Sequence, residues 1–157
     1  MHFDGWRGKE LWNLAAIAWA AILAAGALVL EHGFGQLPCA LCLNQRAWIM
    51  LAGLIAAAGF AHNPRLGIYP LLAVGASLAG GAFSIRHLYL LTLPADQVPG
   101  CGVDFDYMID VFPVLDVLRH MAQGTGECTE QGVIIPAAAL VGFIGMVALT
   151  ITYWRHR

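Results

Sequence analysis

Apolar residues fall into four long blocks, roughly 11–30, 43–61, 66–85 and 133–154, separated by two short stretches and one long one. Crossing the hydrocarbon of a bilayer as a helix takes about 20 mainly apolar residues, and each block has that length. The second block holds a single charge, Arg46 near its start, and the other three hold none. A basic stretch (Arg7, Lys9) before the first block is also how a secretory signal begins. Its apolar core is too long for one, however, and no clear small-x-small cleavage site follows that core before Glu31, so an uncleaved first span is expected. The pattern predicts an all-α membrane protein: a four-helix transmembrane bundle making a single membrane domain over 1–157, with loops at about 31–42 and 86–132.

The period changes inside the long loop. Met108, Val111, Phe112, Leu115, Leu118 and Ala122 recur at helical spacing, with Asp110, Asp116 and Arg119 off the stripe. This predicts a short amphipathic helix beginning near Pro113, because proline fits only the first turn. The helix lies either on the membrane interface or against the outer ends of the bundle. Within the blocks, Gly75-x-x-x-Ala79 and Gly142-x-x-Gly145 are small-residue spacings that let transmembrane helices approach closely.

Composition agrees: of 157 residues, 59% are hydrophobic and 11% charged, far from a soluble domain. Four spans put both termini on one side with the 62–65 turn, and all four cysteines on the other. Arg7, Lys9, Arg65, Arg155 and Arg157 share the side of the termini, against Arg46, Arg86 and Arg119. That bias is expected of cytoplasmic termini. A net charge of −2 gives no footing for a nucleic-acid partner.

Cys39-Ala40-Leu41-Cys42 sits where the first loop enters the second span. A thiolate at a helix N-terminus is stabilised by the dipole and unpaired amides, which favours fast exchange. Half of a zinc site is the competing reading, with Cys101 and Cys128 as the other half, but an oxidising compartment favours disulfides over thiolate ligands. No metal ligand set is assigned. Cys101 and Cys128 alone would read as a structural staple stabilising the loop by roughly 3–4 kcal/mol. Beside a second pair on the same face they can instead form a relay, since exchange needs only that one thiolate reach another sulfur.

Arg46 lies one helical turn deeper than Cys42 on the same face. It either snorkels to the interface or stabilises the Cys42 thiolate and donates to an acceptor such as a quinone carbonyl. Arg86-His87 ends the third block at the same level. Gln45 and Trp48 line the same pocket or face headgroups.

Pro38-Cys39-x-x-Cys42-x-x-x-Arg46, then His87, then Cys101 and Cys128 before the last span resemble the DsbB disulfide-bond formation proteins over essentially the whole chain. In bacteria a chain from DsbA through DsbB to quinone keeps the periplasm oxidising. The resemblance implies a protein of the bacterial inner membrane with periplasmic cysteine loops and DsbA as its partner oxidase. Reduced DsbA would attack Cys101, Cys128 would pass electrons to Cys39, and Cys42 would give them to ubiquinone or menaquinone near Arg46, with His87 a second contact. Gln45 stands where the family's best-known member has an acidic residue, so Arg46 is expected to be less neutralised. Two other readings compete: a paralogue serving another periplasmic oxidase, and a stapled structural or metal-binding membrane protein.

Overall fold

The computed structural model describes residues 4–35, 38–62, 66–94, 96–98, 107, 110–124, 128 and 132–156, the side chains of 4–9 excepted. Among the described residues the elements are helices: α1 (Asp4–Phe34), α2 (Ala40–His62), α3 (Ile68–Leu90), α4 (Val114–Gln123) and α5 (Ile134–His156). At 1.5 Å per residue, the 23 residues of α2, α3 and α5 reach about 34 Å, enough to cross hydrocarbon about 30 Å thick. With α1, four helices have the length and composition of membrane spans, and the chain is a multi-pass membrane protein.

Two of the helices run well past the C-terminal ends of their hydropathy blocks. The first continues through Glu31 to Phe34 before Gly35 turns the chain at φ 66°, so Glu31 is helical and not part of a loop. The third continues to Leu90, which puts Arg86 and His87 within the helix.

The long helices pack in a ring, α1 on α2, α2 on α3, α3 on α5 and α5 on α1. Their common core is built of small residues, Ala16, Ala20, Ala52, Ala56 and Ala76, filled out by Phe143 and Met146. The large aliphatics point outward, Ile22, Leu54, Leu78 and Ile144 each being 60–67% exposed. That arrangement inverts a soluble protein and suits lipid, where close backbone packing, and not the hydrophobic effect, joins helices. A Cβ on Gly80 would stand 2.2 Å from the Phe143 ring, so α3 and α5 meet only because this position has no side chain. Trp19 Nε1 donates to the Gly142 carbonyl at 2.9 Å and fixes α1 on α5. Buried Ser77, Ser84 and Thr150 satisfy their hydroxyls on carbonyls one turn back.

Pro113 stands at the N-cap position of α4, as its ring demands. The stripe expected to face either lipid or bundle faces away from the bundle: Val111, Leu115 and Leu118 are exposed, while Val117 is the buried residue. Met108 lies outside the described residues. Arg86 donates from Nε and Nη2 to the Gln123 carbonyl at 3.0 and 2.8 Å, tying the end of α4 to α3.

The next residue, Gly124, has φ 75°, and a Cβ there would lie 2.6 Å from Leu41 and 2.7 Å from Leu90. Gly124→Ala is therefore expected to lower stability by about 1–3 kcal/mol, from backbone strain and overpacking together. Thermal unfolding in detergent checks this, and an unchanged midpoint would refute the close seating of the loop on α2 and α3.

Candidate redox site

Pro38 delivers the chain to α2, and the Cys39 carbonyl accepts the Leu43 N–H at 3.0 Å. Cys39 is thus the N-cap residue and Cys42 completes the first turn, among amides that have no intrahelical acceptor. The two sulfurs are 3.2 Å apart. Cys39 is buried in a small cluster with Leu41, Leu90 and Cys128, against which Cys42, Phe83 and Leu93 pack.

The CxxC pair and one cysteine of the long loop are thereby brought together. The Cys128 contact favours the Cys39 thiolate, but the hydrogen bond to Cys42 and burial outweigh it and push the thiol up to about 12. Cys101 lies outside the described residues.

His87 is fully buried. Its Nε2 lies 2.9 Å from the Cys128 carbonyl, and a carbonyl only accepts, so Nε2 carries the proton. Nδ1 is then the acceptor for the Gln45 side-chain amide at 3.4 Å. An α3 imidazole therefore holds the backbone of Cys128 against α2, a contact between residues 41 positions apart. Trp48, one turn below Gln45, stacks on Phe83 with ring centroids 6.4 Å apart.

Arg46 does not simply snorkel. Nη1 donates to the Glu31 carboxylate of α1, and Nη2 donates to the Ala27 carbonyl at 3.2 Å. The expectation of a poorly neutralised arginine is corrected: Gln45 brings no charge, but Glu31 supplies it from the facing helix. The Arg46 Nε is buried without a partner among the described residues. Replacing Glu31 with Gln is expected to lower the thermal unfolding midpoint in detergent, because the part-buried Arg46 guanidinium loses its counter-charge. An unshifted midpoint would show the ion pair to be idle.

A cavity of about 810 Å³ opens between α1, α2 and α5, within the range of small-molecule sites. Its walls are mostly apolar, including Leu23, Ile49, Ile135 and Phe143, and its polar groups include Cys42, Gln45, Arg46 and Glu31. His87, expected beside Arg46 as a contact for the same acceptor, does not line it.

Sequence reasoning missed Glu31 as a site residue. The usable signal was an arginine inside a span, which requires a partner, and a carboxylate at matching depth on the adjacent helix.

The family model for disulfide bond formation protein DsbB matches residues 9–153. Among curated proteins, the chain is 43% identical to disulfide bond formation protein B of Hahella chejuensis, over 95% of this chain and 94% of that one. It is 40% identical to the protein of the same name from Chromohalobacter salexigens, over 83% and 81% of the two chains. Disulfide bond formation protein B 1 of Pseudomonas aeruginosa is 35% identical, over 95% and 96%. No solved structure matches the chain.

Proposed function

This chain belongs to the DsbB family of disulfide bond formation proteins, and from that membership we propose that it reoxidises a periplasmic DsbA-like thiol oxidase and delivers the electrons to a membrane quinone. The quinone is ubiquinone or menaquinone, the membrane is the bacterial inner membrane, and both termini are cytoplasmic.

The observation that supports the quinone reading is the cavity beside Cys42. It is apolar along its length and carries at its polar end the Arg46 side chain, whose Nε has no hydrogen-bond partner among the described residues. An orphaned guanidinium N–H suits a ligand with an apolar tail and a carbonyl acceptor at its head. A bound quinone supplies the sink, taking up two electrons and two protons to leave as the quinol.

The exchange steps follow from sulfur chemistry. A thiolate of the reduced partner attacks Cys101 of the Cys101–Cys128 disulfide, forming a mixed disulfide and releasing Cys128. The partner's second thiol then resolves that bond, so the partner leaves oxidised. Cys128, held beside Cys39 by His87, attacks Cys39 of the Cys39–Cys42 disulfide and releases Cys42. Cys39 is the sulfur to be retained in that exchange, because a thiol pushed up to about 12 makes a poor leaving thiolate. Cys101 then attacks Cys128 to restore the loop disulfide and free Cys39, and Cys39 and Cys42 re-form their disulfide as they give up two electrons. Cys42 faces the cavity, where Arg46 offers positive charge and Glu31 fixes the guanidinium in place. Because a DsbA-like oxidase is itself strongly oxidising, and every 30 mV uphill costs about 1.4 kcal/mol for two electrons, only a more oxidising sink completes the path.

Filling the cavity tests the reading without touching a cysteine. Ala139→Trp on α5 is expected to abolish quinone-dependent turnover and leave thiol exchange with the partner intact. Undiminished turnover would remove the cavity from the path.

A further inference from the structure

Three donors, two sulfurs at the start of α2 and an imidazole of α3, converge where the redox reading uses only the two sulfurs. Cys39 Sγ, Cys42 Sγ and a ring nitrogen of His87 all lie within 4.8 Å of one another. Tetrahedral zinc, with Zn–S about 2.3 Å and Zn–N about 2.0–2.1 Å, sets its ligand atoms about 3.5–3.8 Å apart. The two sulfurs at 3.2 Å need open only slightly, and the imidazole need approach by about 1 Å at most. Cys128 contacts Cys39 in the same buried cluster but lies outside that three-residue group, and it would complete a tetrahedral set only by moving closer to Cys42 and His87.

The imidazole is set up as such ligands are. A backbone carbonyl holds its Nε2–H at 2.9 Å, which fixes the tautomer and leaves the Nδ1 lone pair as the ligating atom. The competing Gln45 contact to Nδ1 is long, at 3.4 Å, and is the one a cation would displace. Entry runs along the cavity, which reaches Cys42.

We infer that the reduced dithiol form of this protein binds zinc through Cys39, Cys42, His87 and Cys128. The thiols that coordinate give up their protons to solvent, no electrons move, and while zinc is held neither Cys39 nor Cys42 can exchange. The oxidised form cannot bind, because a disulfide offers no thiolate. This ligand set is distinct from a pairing of the CxxC with both loop cysteines, since it takes His87 and leaves out Cys101.

The test is zinc titration of the full-length protein in detergent, reduced with a phosphine and monitored by competition with a chromogenic chelator. Cobalt substitution then reports the ligand atoms by absorption. Wild type is expected to bind one zinc per chain when reduced and none when oxidised, with thiolate-to-cobalt charge transfer and tetrahedral bands. His87→Ala is expected to weaken binding by about tenfold or more and to change the cobalt spectrum, whereas Cys101→Ser should match wild type. Should His87→Ala fail to fold, Cys128→Ser reads the same site and should also weaken binding. Equal binding by the oxidised protein, or loss of binding in Cys101→Ser, would overturn the site. So would cobalt spectra that neither His87→Ala nor Cys128→Ser alters.

Discussion

Cys42→Ser is expected to lower quinone reduction by roughly three orders of magnitude or more, while the partner oxidase still forms a mixed disulfide with the chain. The size follows from position. Cys42 is the cysteine that both lies 3.2 Å from Cys39 and lines the cavity, so electrons reaching Cys39 have no other described sulfur through which to leave. A serine oxygen cannot take its place in a disulfide. In the proposed path the partner attacks the loop pair, upstream of the change, so acid-quenched non-reducing gels should still show the mixed species form. Retained turnover in Cys42→Ser would place another sulfur next to the acceptor.

Arg46→Ala is expected to weaken the apparent quinone affinity roughly ten- to a hundredfold, the worth of a charge-assisted hydrogen bond of about 1.5–3 kcal/mol. Exchange with the partner should change far less. The substitution removes the unpartnered Nε and also strands Glu31, whose counter-ion is Arg46. Arg46→Lys separates these effects: a lysine keeps the charge for Glu31 but lacks the fork that serves Glu31, the Ala27 carbonyl and the cavity at once. It should therefore recover stability more fully than quinone affinity. An apparent affinity unchanged in both variants would return Arg46 to a purely structural part.

The spans were legible because lipid imposes a length and an apolarity that show in the sequence. The cysteine spacing and Arg46 were legible for a similar reason, since both belong to one stretch of one helix. Contacts between helices were not. Glu31 reads as a loop acid until α1 is seen to continue past it, and only then does it face Arg46. His87 reads as the end of a span, yet its task depends on a residue 41 positions later. The α4 stripe gave the period of a helix but not its facing, because the choice between lipid and bundle rests on Val117 alone finding a place against its neighbours. Gly124 carries no signal in sequence beyond being a glycine, and its role follows from Leu41 and Leu90 closing over it.

The transfer of electrons from thiols to quinone is tested most directly by quinone absorbance. Purified protein is mixed with reduced DsbA and a soluble ubiquinone analogue, beside a Cys101→Ser control. The expected result is loss of quinone absorbance that requires the partner, the protein and Cys101 together. Persistence of the quinone spectrum with folded protein and reduced partner would contradict it.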